Sequence, residues 1–296
     1  MVAFDVPEVD YTRYTNRQLA AVPLAVLALA LLVIVATFAT TGAPVALGTE
    51  FSGGTEMRLA VDAPDGQAEQ VIQQAFDTEI ESIQSIPSDG TYVVTFGPGT
   101  DPAQLEQTVV NPPNDAAQQL ELVSLSTVSA SFAGDSQRLA LGGIAVAFLG
   151  MSLLVFALFR TFVPSIAVVL SAFSDIVIPV ALMNLLGIEL SLGTVAALLM
   201  LIGYSVDSDI LLNDHILRRS GDFYESTYRA MRTGVTMTLT SLAAMVVMTI
   251  TATLFGIQLL SAIGIILVFG LAADLMNTYL LNLSLLRWYM YEGVKR

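Results

Sequence analysis

The 296-residue sequence contains no cysteine, one histidine, His215, and one lysine, Lys295. Without thiols it can build neither a disulfide framework nor a thiolate metal or redox centre. A lone histidine cannot supply the ligand cluster of a zinc site, and it would have to serve every step of a Ser-His mechanism. No metal, no cofactor and no enzyme chemistry are expected from such an inventory. Charge is scarce too: 13% of residues are charged against 54% hydrophobic, and the mean hydropathy of +0.70 is too high for an ordinary soluble domain. The charge present is one-sided, with 26 acids against 12 bases and a net −14. That sign argues against nucleic acid as a partner. A lysine-poor, acid-rich surface is the kind that halophilic archaea keep hydrated in concentrated salt, where like-charge repulsion is screened.

Apolar runs are what the sequence has in quantity. A span needs roughly 20 predominantly apolar residues to cross a core of about 30 Å, and six windows qualify: 18–41, 139–159, 162–186, 191–212, 233–255 and 259–286. The first is too long for a cleaved signal peptide and reads as a retained anchor. Basic residues near span ends are held in the cytoplasm. With the N-terminus inside, Arg13, Arg17, Arg160, Arg218, Arg219, Arg229, Arg232, Arg287, Lys295 and Arg296 are cytoplasmic, and only Arg58 and Arg138 lie outside. The expectation is a multi-pass protein of the lipid bilayer with cytoplasmic segments 1–17, 213–232 and 287–296 and an extracellular domain over 42–138.

That domain carries its own pattern. Met57 to Val61 and Tyr92 to Phe96 have strand character, Glu81 to Ile86 and Leu122 to Val128 alternate, and Val71, Ile72, Ala75 and Phe76 within 67–76 have helical spacing. A second helix falls between Pro102 and Leu120, broken by Asn111, Pro112, Pro113 and Asn114. Strand, helix, two strands, helix, strand is the split βαβ order of a ferredoxin-like α+β domain.

The residues that carry chemistry are acids inside the hydrocarbon region: Asp175 in the third span, Asp207 and Asp209 in the fourth, Asp274 in the sixth. An ionised carboxylate there costs a few kcal/mol or more, so each must be protonated, face a wet cavity or meet a cation from a partner chain. These four are the ion-coupling candidates. On a helical wheel Gly203, Asp207 and Asp214 share one stripe while Ser205 and Asp209 lie nearly opposite, so the two acids of the fourth span address different neighbours. Gly270, Asp274 and Asn277 line one side of the sixth span, and Ser171, Ser174 and Asp175 cluster in the third. Thr233, Thr236 and Thr240 stripe the fifth. These polar faces, with Ser208 and Ser241, are expected to turn inward as helix-packing contacts, although intramembrane Ser and Thr often bond their own helix.

Two further segments have plain readings. Phe51-Ser52-Gly53-Gly54-Thr55 follows the first span, where paired glycines permit a tight or left-handed turn into a strand. The arginine-bearing loop before the fifth span reads as a solvated, positive-inside loop.

Phe51-Ser52-Gly53-Gly54-Thr55 also resembles the Phe-x-Gly-Gly-Thr signature of the SecD/SecF family. The run from Ile202 to Leu212, with Gly203-Tyr204-Ser205 and Asp207-Ser208-Asp209, resembles that family's fourth-span signature, and Thr240-Ser241-Leu242 its fifth-span pattern. Order, spacing and the six-span layout match over nearly the whole chain. The resemblance implies an α-helical polytopic protein, a six-helix half of an RND-type module. Such a half pairs with SecD beside the Sec translocon channel and helps unfolded exported polypeptides across the plasma membrane at the expense of an ion gradient, protons or sodium. This chain departs from the bacterial pattern, which puts its aspartate where Ser208 stands and a fifth-span arginine near Thr236, and it is closer to the archaeal members. Three other readings stand beside it: a structural or chaperone-like translocon accessory without ion coupling, an RND-type small-molecule exporter subunit, and an intramembrane aspartyl protease pairing Asp175 with Asp207.

Overall fold

The structure, a computed structural model, describes residues 9–64, 66–86, 90–218 and 222–292. Arg219, Lys295 and Arg296, which enter the charge count for orientation, lie outside the described residues. Helix α1 (Asn16–Thr41) opens on a capping box: the Thr15 side chain accepts from the Gln18 N–H, and the Gln18 side chain accepts from the Thr15 N–H. It ends at Gly42, whose φ of 77° gives the left-handed cap. A single turn, α2 (Thr49–Ser52), leads into β1 (Gly54–Val61).

Beyond β1 come α3 (Ala68–Ala75), β2 (Ile80–Ile86), β3 (Thr91–Phe96), α4 (Pro102–Val110) and β4 (Leu120–Val128). The sheet is antiparallel in the order β2-β3-β1-β4, the arrangement expected of a split βαβ domain. Alternation along β1 sends Met57 and Leu59 inward to meet Ile72 of α3, Leu105 of α4, and Val94 and Phe96 of β3 in one core.

The remaining chain is α5 (Ala130–Phe159), α6 (Phe162–Leu186), α7 (Leu192–Arg218), α8 (Phe223–Leu254) and α9 (Gln258–Met276), the last continuing through a π turn, Asn277–Asn282, into α10 (Leu283–Tyr291). Counting α9 to α10 as one unit, six helices among the described residues are long and apolar enough to cross a membrane. The protein is therefore a multi-pass membrane protein with a small α+β domain between its first two spans. The middles of α6 and α7 are the most enclosed, and those of α5 and α8 the least. Small residues set the closest approach: a Cβ on Gly270 of α9 would overlap the Leu201 side chain of α7.

The domain is bolted to the helices at its root. Phe51 of α2 is buried among Val195 and Leu198 of α7 and Ile266 of α9. The Glu50 carboxylate accepts from the Leu192 N–H at 2.5 Å, at the start of α7, where helix N–H groups lack internal partners. Gly53 and Gly54 have φ of 77° and 124°, and a Cβ at Gly54 would run into the Phe96 carbonyl oxygen. The glycine pair thus turns the chain from the buried phenylalanine into the sheet, as its sequence suggests.

Candidate functional site: a buried carboxylate cluster

Asp175, Asp209 and Asp274 come together from α6, α7 and α9, each 1% exposed or less. Asp175 accepts from the Ser205 hydroxyl at 2.5 Å and from the Asn277 amide at 2.6 Å, one bond to each oxygen. Asp209 Oδ1 accepts from the Thr278 hydroxyl and the Asn282 amide, both at 2.8 Å. Asp274 Oδ1 lies 2.7 Å from the Ser208 hydroxyl and 3.3 Å from that of Thr278. One hydroxyl, Thr278, therefore bridges two carboxylates. The Ser171 hydroxyl faces both Asp175 and Asp209. Among the described residues no arginine, lysine or histidine donates to any of these acids; the buried Arg287 bonds Tyr11, Tyr14 and Asn16, and His215 bonds the Leu211 carbonyl.

Backbone geometry builds the cluster. Asp274 and Thr278, four apart, share a helix face. In a regular α-helix Asn277 and Asn282 would point about 140° apart, but the i→i+5 bonding of the π turn winds more slowly and brings both amides onto the acids of α6 and α7. Asn213, one turn beyond Asp209, donates to the Asp209 backbone carbonyl at 2.8 Å.

Asp207 is elsewhere. It lies exposed with Gly203, Tyr204 and Met200 on the outer face of α7, so the wheel separates the two acids correctly. Exposed there, it does not meet the buried Asp175, so the Asp175–Asp207 pair of the aspartyl-protease reading does not form. Thr233, Thr236 and Thr240, expected to turn inward, do not turn into this chain's own bundle. Thr233 and Thr240 are exposed and Thr236 half-buried, and their hydroxyls donate to the carbonyls of Arg229, Met237 and Arg232 respectively. Bonding its own backbone satisfies each hydroxyl without a neighbour; Thr238 is the buried threonine of that stretch. Ser205, Ser208 and Asn277 do turn inward but donate to the acids, so they belong to the cluster. Ser241 is half-buried on α8.

Thr278, Asn282 and Asn213 join the site beyond the residues the sequence singles out; the spacing of Asp274, Thr278 and Asn282 at i, i+4 and i+8 is the signal that marks two of them.

Residues 109–292 match the family described as protein export membrane protein SecD/SecF, C-terminal. The chain is 71% identical to the protein-export membrane protein SecF of Haloferax volcanii and 62% identical to that of Haloquadratum walsbyi, over all of each chain. It is 38% identical to the SecF of Pyrococcus furiosus over 90% of this chain and 89% of that one. The fold is shared with the crystal structure of SecDF, a translocon-associated membrane protein, from Thermus thermophilus, at a TM-score of 0.74 and 21% identity; the match covers 98% of this chain and 40% of that one. Relatives this similar along their whole length place the chain in the SecD/SecF family of protein-export membrane proteins, on its SecF side.

Proposed function

We propose that the protein assists Sec-dependent export as the partner of a SecD chain beside the translocon channel, and that an ion gradient drives it through the carboxylate cluster of Asp175, Asp209 and Asp274. The observation that carries the reading is the cluster itself. Three acids are sunk in the middle of apolar helices, and among the described residues no cationic side chain bonds them. Such placement is costly and persists where ions or protons enter and leave. The site joins α6, α7 and α9, and Glu50 and Phe51 tie the outer end of α7 to the root of the α+β domain, so a change at the cluster has a short path to that domain. This supports a cycle in which charging and neutralising the acids shifts α7 and moves the domain against an emerging unfolded polypeptide.

The arginine asymmetry supports cytoplasmic termini and a domain outside the plasma membrane, with segments 42–138 outside and 213–232 inside. The exposed stripe of Met200, Gly203, Tyr204 and Asp207 on α7 is the face offered to SecD, since a carboxylate on an apolar helix needs a polar partner rather than lipid. The fold shared with a SecDF protein, of which this chain spans 40%, supports a pseudo-symmetric complex of two six-helix halves. The test is secretion of a reporter in cells lacking this gene. Wild type and Asp207→Leu should differ in co-purification with SecD, while Asp209→Asn should keep the complex and lose export. Restored export with Asp209→Asn would favour the chaperone-like accessory instead.

A further inference from the structure

The three acids are closed in from both ends of the bundle, by different means. Toward the α+β domain the helices meet through Met183, Leu198, Leu201, Ile266 and Leu267, all almost fully buried, with Leu201 against Gly270. Toward the end that carries both termini the polar side chains continue. Asn282, which donates to Asp209, accepts from the Asn213 amide at 3.4 Å, and Asn213 stands one turn past Asp209 on α7. The buried Tyr279 faces Asp274 and Asp209 on one side and Tyr11 on the other. Its hydroxyl has no hydrogen-bond partner and abuts Gly234 of α8, where a Cβ would overlap it. Buried polar groups are costly to leave unpaired, so a line of them running to one end of the bundle points to the side from which water reaches the acids.

What closes that end is the segment before α1. Tyr11 is buried with Leu212 of α7, Met231 of α8, Leu283 and Leu286 of α10, and Tyr279. The segment holds its own shape: Asp10 accepts from the N–H and hydroxyl of Thr12 and from Arg13, around a single 3-10 turn, Tyr11–Arg13. Its polar hold on the last helix is Arg287 of α10, whose guanidinium donates to the carbonyls of Tyr11 and Tyr14, at 2.8 and 2.7 Å, and to the Asn16 side chain. Among the described residues no carboxylate pairs with this buried cation. The Tyr11 hydroxyl donates to the Met231 sulfur at 3.3 Å, a weak acceptor. Detaching the turn therefore exchanges neutral acceptors and a thioether for water, while hydrating a guanidinium and two phenols. A preformed turn held this way opens at a small fraction of the cost of unfolding the helices.

We propose, on the reading of Asp175, Asp209 and Asp274 as the ion-coupling site, that the segment from Asp10 to Thr15 is a lid over the terminal end of the bundle. Tyr11 is its plug and Arg287 its latch, and its release opens the acids to water from that end.

The chain has no cysteine, so one introduced thiol reports alone. Ser208→Cys places it beside the acids, and its reaction with aminoethyl methanethiosulfonate is timed on the full-length chain in lipid nanodiscs, below the melting temperature of every variant. With the lid intact, labelling should be slow beside that of Glu121→Cys on the exposed face of β4. Adding Tyr11→Ala should speed it about tenfold or more, while Tyr11→Phe, which keeps the plug, should stay within about twofold of the parent. Asn16→Ala removes one acceptor of the latch without touching the core, and it should speed labelling about threefold, a second reading should Tyr11→Ala fail to fold. Equal rates in Asn16→Ala, in any folded Tyr11→Ala and in the parent overturn the lid, as does a parent that labels as fast as Glu121→Cys. Labelling that follows the lid, with export intact in Asp209→Asn, would keep the lid and sink the coupling role. Labelling indifferent to the lid, with export lost in Asp209→Asn, would sink the lid and leave the coupling role standing.

Discussion

Two residues apart on α7, Asp207 and Asp209 have opposite surroundings, and the 3.6-residue helical repeat is enough to separate them. Replacing Asp209 with alanine strands the Asn282 amide donor in an apolar interior and leaves the Thr278 hydroxyl to Asp274, a loss of about 1–3 kcal/mol that thermal melts in lipid should register. Asp207→Ala in the isolated chain strands nothing and should melt within about 0.5 kcal/mol of wild type. Gly54 is a second point where one residue decides. Its positive φ and the Phe96 carbonyl against its α-carbon mean that Gly54→Ala should cost about 1–3 kcal/mol, read as faster amide exchange along β1 and β3. Both results concern positions legible in the sequence. Thr278 and Asn282 were less so, because an uncharged side chain in a span can equally bond its own helix, and only the docked helices decide between the two.

At the scale of elements, hydropathy and the two-residue alternation predict the six spans and the strand order, since both report burial directly. The π turn at Asn277–Asn282 has no such signature. It depends on which carbonyls the packed helices leave available, and that is settled only by tertiary contact. The threonines of α8 fail for a related reason: a periodic stripe says that side chains share a face, while burial of that face depends on what packs there. The double substitution of Thr236 and Thr240 by valine should accordingly change stability by no more than about 0.5 kcal/mol and leave export intact. At the root of the α+β domain, Glu56 of β1 and Glu189, between α6 and α7, are both held above the ordinary glutamate range. The cause is first burial, then neighbouring carboxylates: Glu50 for Glu56, and Glu56 with Glu81 for Glu189. A carboxyl that titrates higher when folded binds more protons in the folded state, so stability falls as pH rises from the ordinary glutamate value through the raised one. Glu189→Gln should therefore melt higher than wild type near neutral pH, with the gap closing as the medium is acidified below about pH 4.

Across the whole molecule, the membrane class, the α+β domain and the acids of the spans follow from composition and spacing, because a bilayer punishes every misplaced charge. Which acids meet does not follow, because three helices must first be docked. The faces of α5, α7 and α8 stay exposed in this chain, and the proposed SecD contact puts Asp207 on the side where a polar neighbour is needed. The central claim is that the cluster of Asp175, Asp209 and Asp274 couples an ion gradient to export, and one measurement bears on it most directly. A secreted reporter is followed in cells lacking this gene and carrying wild type or Asp209→Asn at matched membrane levels and matched co-purification with SecD. The account predicts that wild type restores secretion and Asp209→Asn does not; equal restoration by both would contradict it and leave the buried acids with a structural role alone.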